Sequence, residues 1–206
     1  MELTPVEIRV LGCLVEKEAT TPEVYPLSTN SLRLACNQRS SRDPVVDYDE
    51  GEVTMALVSL RERGLARTVR GEGSRVYKHA HLLPSALGLD PEEVAVLSVM
   101  MLRGAQTAGE LRTRTERQHL FTVDEVEQVL QRLAGREPPL VHLLPRQSGQ
   151  REARWTHLLG AESAPAPEAT LPAPEAPAGG LADEVAALRA ELAELRARVD
   201  ILEARE

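Results

Sequence analysis

Aromatic residues are nearly missing from this chain: Phe121, Trp155, Tyr25, Tyr48 and Tyr77 make up 2% of its 206 residues. A core built without them must be aliphatic, drawn from Leu, Val and Ala, and no stacking platform for single-stranded nucleic acid is expected. Cysteine is as scarce. Cys13 lies in an apolar helical run and reads as a small buried hydrophobe, so a disulfide framework is not indicated. There is no charged-then-apolar leader and no run of about 18 apolar residues, which argues against secretion and membrane spanning and for a reducing cytoplasm. A glycine-rich phosphate loop after a strand, a nucleophile elbow, Cys-x-x-Cys and His-x-x-x-His are also lacking. His79 and His81 with Cys13 and Cys36 therefore do not make a zinc site. Glu16 with Glu18, and Glu92 with Glu93, read as helix surface and capping rather than as an acid and base pair. The expectation is a non-enzyme with no catalytic residues, no cofactor and no metal.

The formal charge is −8, but it is unevenly distributed. Up to residue 160 there are 20 Lys and Arg against 22 Asp and Glu; beyond it there are 4 against 10. The acidity is concentrated in the tail, so the rest of the chain remains open to a nucleic-acid partner.

What the chain does have is an internal repeat. Thr4 to Thr21 reappears without a gap as Asp90 to Thr107: Thr4, Pro5 and Glu7 stand opposite Asp90, Pro91 and Glu93, and Ala19 and Thr21 opposite Ala105 and Thr107. Both copies open with a side chain that caps the helix start, Pro at the first helical position and Glu at the third. In each copy a first helix is followed by a short one, over Ser28 to Cys36 and from Thr107. A third helix comes next, carrying Val53, Ala56, Leu57 and Leu60 in one copy and Val126, Val129, Leu130 and Leu133 in the other. Period-two stretches then predict hairpins, Leu65 to Arg70 with Arg75 to His79, and Leu140 to Leu144 with Arg154 to Leu158. The second copy is shorter upstream of its third helix.

The expected fold is mainly α with small β-hairpins (α+β). Two tandem winged-helix domains, residues 1–84 and 85–160, are followed by an Ala/Pro/Glu-rich flexible linker over 161–180 and a coiled-coil helix over 181–206. In that helix Leu181, Leu188, Leu195 and Leu202 form one seam position and Val185, Leu192 and Val199 the other. A parallel homodimer also sets Glu184 against Arg189, Glu191 against Arg196 and Arg198 against Glu203, all of opposite sign. The competing reading is a lone amphipathic helix folding back on the globular part.

Several blocks resemble the YceH family of bacterial proteins: Tyr25-Pro26-Leu27, Ala35-Cys36-Asn37-Gln38, Arg42-Asp43-Pro44, Arg103-Gly104 with Gln106-Thr107, Gly109-Glu110-Leu111-Arg112 and Pro145-Arg146-Gln147. The resemblance covers about residues 3 to 159. It implies tandem winged helices and leaves function unassigned. Ala105 and Ala108 depart from the Pro expected at those positions.

A winged helix reads DNA with the exposed face of its third helix while the wing grips phosphate. In the first copy that face is Gly51, Met55, Val58 and Glu62, with Asp47, Asp49, Glu50 and Glu52 crowding the helix start. This suits a protein contact, with Met55 and Val58 at its centre. In the second copy the face offers Asp124, Gln128, Gln131 and Arg132, which suits base edges. Candidate DNA contacts are therefore Arg112, Arg114, Arg117, Gln128, Gln131, Arg132, Arg146, Arg151 and Arg154, with Arg39, Arg42, Arg70 and Arg75 from the first copy and Arg67 and Lys78 beside them. The functional expectation is a DNA-binding, transcription-regulator-like protein that dimerises through its tail. The alternative is a scaffold that docks partner proteins on its winged helices.

Overall fold

The computed structural model describes residues 2–70, 76–146 and 149–160. These form an α+β structure of seven helices and two small antiparallel sheets, all within one compact unit. The linker and the coiled-coil residues Leu181, Val185, Leu188, Leu192, Leu195, Val199 and Leu202 lie outside the described residues, as does Arg75.

The first half runs α1 (Pro5–Thr20), a single 3-10 turn (Pro22–Val24), β1 (Leu27–Ser28), α2 (Thr29–Cys36), α3 (Glu50–Glu62), β2 (Ala66–Arg70) and β3 (Tyr77–His81). A short α4 (Leu83–Leu87) leads to the second half: α5 (Pro91–Arg103), α6 (Ala108–Thr115), α7 (Val123–Ala134), β4 (Val141–Leu144) and β5 (Arg154–His157). Helix starts follow the capping grammar closely. Thr4, Asp49, Asp90, Thr107 and Thr122 each close a reciprocal box with the Glu at the third helical position. Such a cap is worth about 1 kcal/mol.

The sheets preserve the repeat. In the first, β3 lies between β1 and β2, with Leu27 opposite His79 and Ala66 opposite His81. In the second, Val141 stands opposite His157, and a single bridge from Gln106 to Trp155 takes the place of β1. Both hairpins end in the same device: the Leu83 N–H donates to His81 Nδ1, and the Leu159 N–H donates to His157 Nδ1. The ungapped match of the repeat does not hold to its end, however. Thr107 caps α6 as Ser28 caps α2, whereas Thr21 closes α1, so the copies shift phase between their first and second helices.

One core serves both halves; it is mainly aliphatic but takes in Phe121 and Trp155. Val10, Leu11 and Leu14 of α1 and Val96, Leu97 and Met100 of α5 are fully buried. The two helices meet where α1 carries Gly12: a Cβ there would come within 3.0 Å of Met101 Cβ and 3.1 Å of Leu102. Glycine lets the backbone approach this closely. The edges are tied by the Leu3 N–H donating to the Leu159 carbonyl and the Asp43 N–H donating to the Leu102 carbonyl.

Candidate nucleic-acid interface

Helix α7 buries Val126, Val129, Leu130 and Leu133, which turns Asp124, Gln128, Gln131 and Arg132 outward. Beside it stands the hairpin β4–β5. Between helix and hairpin lies an open groove of about 1090 Å³, and Gln128, Gln131, Arg132, Arg146 and Arg151 all line it. Five candidates scattered over the sequence thus share one concave surface. The same groove contains Asp124, Glu127 and Glu152, which balance its three arginines. Arg132 is itself engaged, donating to Glu92 at 2.7 Å and Asp90 at 3.3 Å. Arg146 donates to the Gln150 carbonyl at 3.2 Å.

The remaining arginines of this half lie elsewhere. Arg154 donates to the Ala105 carbonyl at 2.8 Å and pairs with Glu110 at 3.0 Å. Arg114 donates to Gln106 Oε1 at 2.6 Å and reaches Glu110 at 3.5 Å. Burial works to raise the Glu110 carboxyl, but the Thr107 backbone N–H and the charges of Arg154 and Arg114 outweigh it and hold the pKa below its ordinary value. Arg112 faces Glu116 at 4.0 Å, and Arg117 is exposed just past α6.

In the first half Arg42 is buried, contrary to the expectation of a DNA contact. It is only 6% exposed and cannot reach a phosphate. Its guanidinium donates to both oxygens of Glu16, at 2.6 and 3.0 Å, and to the Ala35 carbonyl, the Ser41 carbonyl and Gln38 Oε1. Glu16 is correspondingly half of an interior ion pair, not helix surface. Arg39 is exposed, as are Arg67 and Lys78, and Arg70 sits over the Tyr77 ring at 5.7 Å. On α3, Met55 is 68% exposed while Val58 is half-buried.

The motif blocks now have structural explanations. Asn37 donates to the Tyr48 carbonyl at 2.8 Å and accepts from the Tyr48 N–H at 2.9 Å, pinning the loop before α3. Arg9 binds the carbonyls of Cys36 and Pro44. Gln106 is wholly buried, and its amide donates to the Val99 and Gly104 carbonyls while its oxygen accepts from Arg114. Such buried side-chain to backbone links over long separations leave no periodicity, so the sequence marks their residues without revealing their partners. Cys13 and Cys36 are both buried. Among the described residues no three His, Cys, Asp or Glu side chains gather as a metal would need, and no helix is long and apolar enough to cross a membrane.

Comparison with known proteins matches residues 3–150 to the family described as protein of unknown function, DUF480. A UPF0502 protein of Geotalea daltonii is 53% identical over 174 residues, covering 81% of this chain and 79% of that protein. Another from Geobacter sulfurreducens is 53% identical over 161 residues, 78% and 73% of the two chains. One from Shewanella baltica is 49% identical over 169 residues, 80% and 76%. With a match this long, an α+β fold of repeated helical halves and motif blocks anchored in its core, the chain belongs to the DUF480 (UPF0502) family of uncharacterised bacterial proteins.

Proposed function

We propose that this chain is a non-enzymatic, cytoplasmic tandem winged-helix protein that binds duplex DNA with its second half. One observation carries the reading: the groove between α7 and β4–β5 collects two exposed amides, Gln128 and Gln131, with Arg132, Arg146 and Arg151. An amide can pair with both hydrogen-bonding groups of an adenine edge, and a guanidinium with those of guanine. The acids in the same groove shape the expectation further. With Asp124, Glu127 and Glu152 offsetting the arginines, bulk charge contributes little, and the affinity comes from a small number of directed contacts. Arg146 and Arg151 gripping one phosphate each give a slope of about −1.8 for log affinity against log salt.

Fluorescence anisotropy of the full chain on mixed genomic duplexes, from low to physiological salt, tests this directly. A shallow linear decline supports the reading, as does a loss of about tenfold or more at a preferred site in Gln128→Ala/Gln131→Ala. Absence of binding even at low salt refutes it.

A second reading rests on a different surface. Met55 projects from α3 at 68% exposure, beside a helix start bearing Asp49, Glu50 and Glu52 that would repel phosphate. This face fits a protein partner better than DNA. If duplex binding fails, crosslinking from position 55 is the corresponding test.

A further inference from the structure

The three arginines near the end of α5 and α6 do not belong to the groove. Arg103, the last residue of α5, is half-buried, and its side chain makes no hydrogen bond or ion pair among the described residues. Burial and the neighbouring charges of Arg114 and Arg42 depress its pKa, with Glu16 and Asp43 opposing more weakly. Arg117 is exposed and likewise has no partner among the described residues. Both line a cavity of about 40 Å³ where α1, the loop before α3, α5 and α6 converge. Glu16 is the one acid on its wall, and it is committed to Arg42 at 2.6 Å and Lys17 at 3.6 Å. Arg114, also on the wall, is already held by Gln106 and Glu110. Ser41 reaches the cavity from a backbone with φ of 59°, a conformation that side-chain-bearing residues rarely adopt.

We propose that this junction is a binding site for a small phosphorylated ligand, held by Arg103 and Arg117 and assisted by the Ser41 hydroxyl and the Gln118 amide. Two unpaired guanidiniums beside a third charge and one committed acid leave the cavity with a surplus of positive charge, and an anion relieves it. The cavity has room for about three waters, which suits one tetrahedral phosphoryl group. The planar guanidinium fork matches phosphate oxygens two at a time. Because the walls come from both halves, occupancy would tie α1 and the loop before α3 to α5 and α6. A free phosphoryl group and a phosphate of the duplex backbone share this chemistry, and the proposal commits to the free group.

The test compares the full chain with Arg103→Gln/Arg117→Gln, in inorganic phosphate and in chloride at matched ionic strength. For a dissociation constant near 1 mM, about 10 mM phosphate should raise the unfolding midpoint of the unmodified chain by roughly 3–5 °C and leave the variant unmoved. Titration calorimetry on the unmodified chain should give saturable binding at one phosphate per chain, a readout that does not depend on the variant folding. Equal shifts in chain and variant would reduce the effect to general salting and overturn the proposal, as would calorimetry without saturation. Loss of duplex affinity in the variant, with no phosphate-specific shift in the unmodified chain, would assign the arginines to the DNA backbone and also overturn it.

Discussion

Replacing Arg42 separates a structural arginine from a DNA-contacting one. Its guanidinium has five acceptor contacts, two of them to Glu16, and the Arg42 side chain is fully buried. In Arg42→Met the stem volume is roughly kept, but Glu16, whose side chain is only 14% exposed, loses the bidentate partner of its carboxylate and is left with Lys17 at 3.6 Å. Breaking one partner of a buried pair costs about 3–5 kcal/mol, and the residual exposure of Glu16 places this case near the lower end. For a unit of this size that is a midpoint lower by about 6–12 °C. Arg42→Met/Glu16→Gln should recover part of the loss, because the orphaned charge is gone, and the double-mutant cycle should give a coupling of about 1–3 kcal/mol. The pair also sets an acid limit. Burial works to raise the Glu16 carboxyl, yet the hydrogen bond and charge of Arg42 prevail and its pKa is lowered in the fold. The resulting stability is present above the ordinary carboxylate pKa and is lost as pH falls through the lowered one. Urea denaturation at several pH values measures all of this. An Arg42→Met chain within about 0.5 kcal/mol of the parent would refute the network.

Three other expectations follow from particular residues. His157 is buried with its pKa pushed down to about 4, below the unfolded value of about 6.5, so the fold should lose up to about 3 kcal/mol as pH falls between those values. His157→Asn, which can still accept from the Leu159 N–H, should flatten that part of the stability profile in urea melts. Gly12→Val should push α1 from α5 and cost about 1–3 kcal/mol; Gly160→Ala, whose new Cβ meets the Leu3 carbonyl oxygen at 2.7 Å, should cost a comparable amount. Ending the chain after Gly160 should convert a dimer to a monomer in sedimentation velocity, and a truncated chain that still sediments as a dimer would move the interface out of residues 181–206.

Local grammar was the legible part of the chain. Capping side chains at Thr4, Asp90 and Thr107 mark three helix starts in the sequence, and the inward positions of α3 and α7 follow from periodicity alone; the Asp49 cap of α3 is seen only in the structure. The α4 turn and the two-residue β1 are too short to carry a period, and neither was expected. Of the candidate surface, the exposed face of α7 could be drawn on a helical wheel, and its meeting with Arg146 and Arg151 depends only on hairpin following helix. Arg42 reads as surface because a lone arginine in a polar loop has that composition; its acceptors lie on α1, α2 and that loop, and one of them, Glu16, is far off in sequence. Arg103 does not stand out in the sequence for a related reason: a basic residue in the last turn of a helix already has an ordinary explanation in the helix dipole.

The contact between α1 and α5 joins equivalent helices of the two halves. That is the relation a twofold dimer has with itself, in which the same patch serves both partners. Fused into one chain, the two patches no longer need to remain identical. One side of the crossing is the bare Gly12, the other the bulk of Met101 and Leu102. The outer helices differ as well: both start acidic, but α3 exposes a methionine where α7 exposes amides and an arginine. A symmetric dimer offers one surface twice. This chain instead exposes two different helix faces at a fixed separation on one shared core.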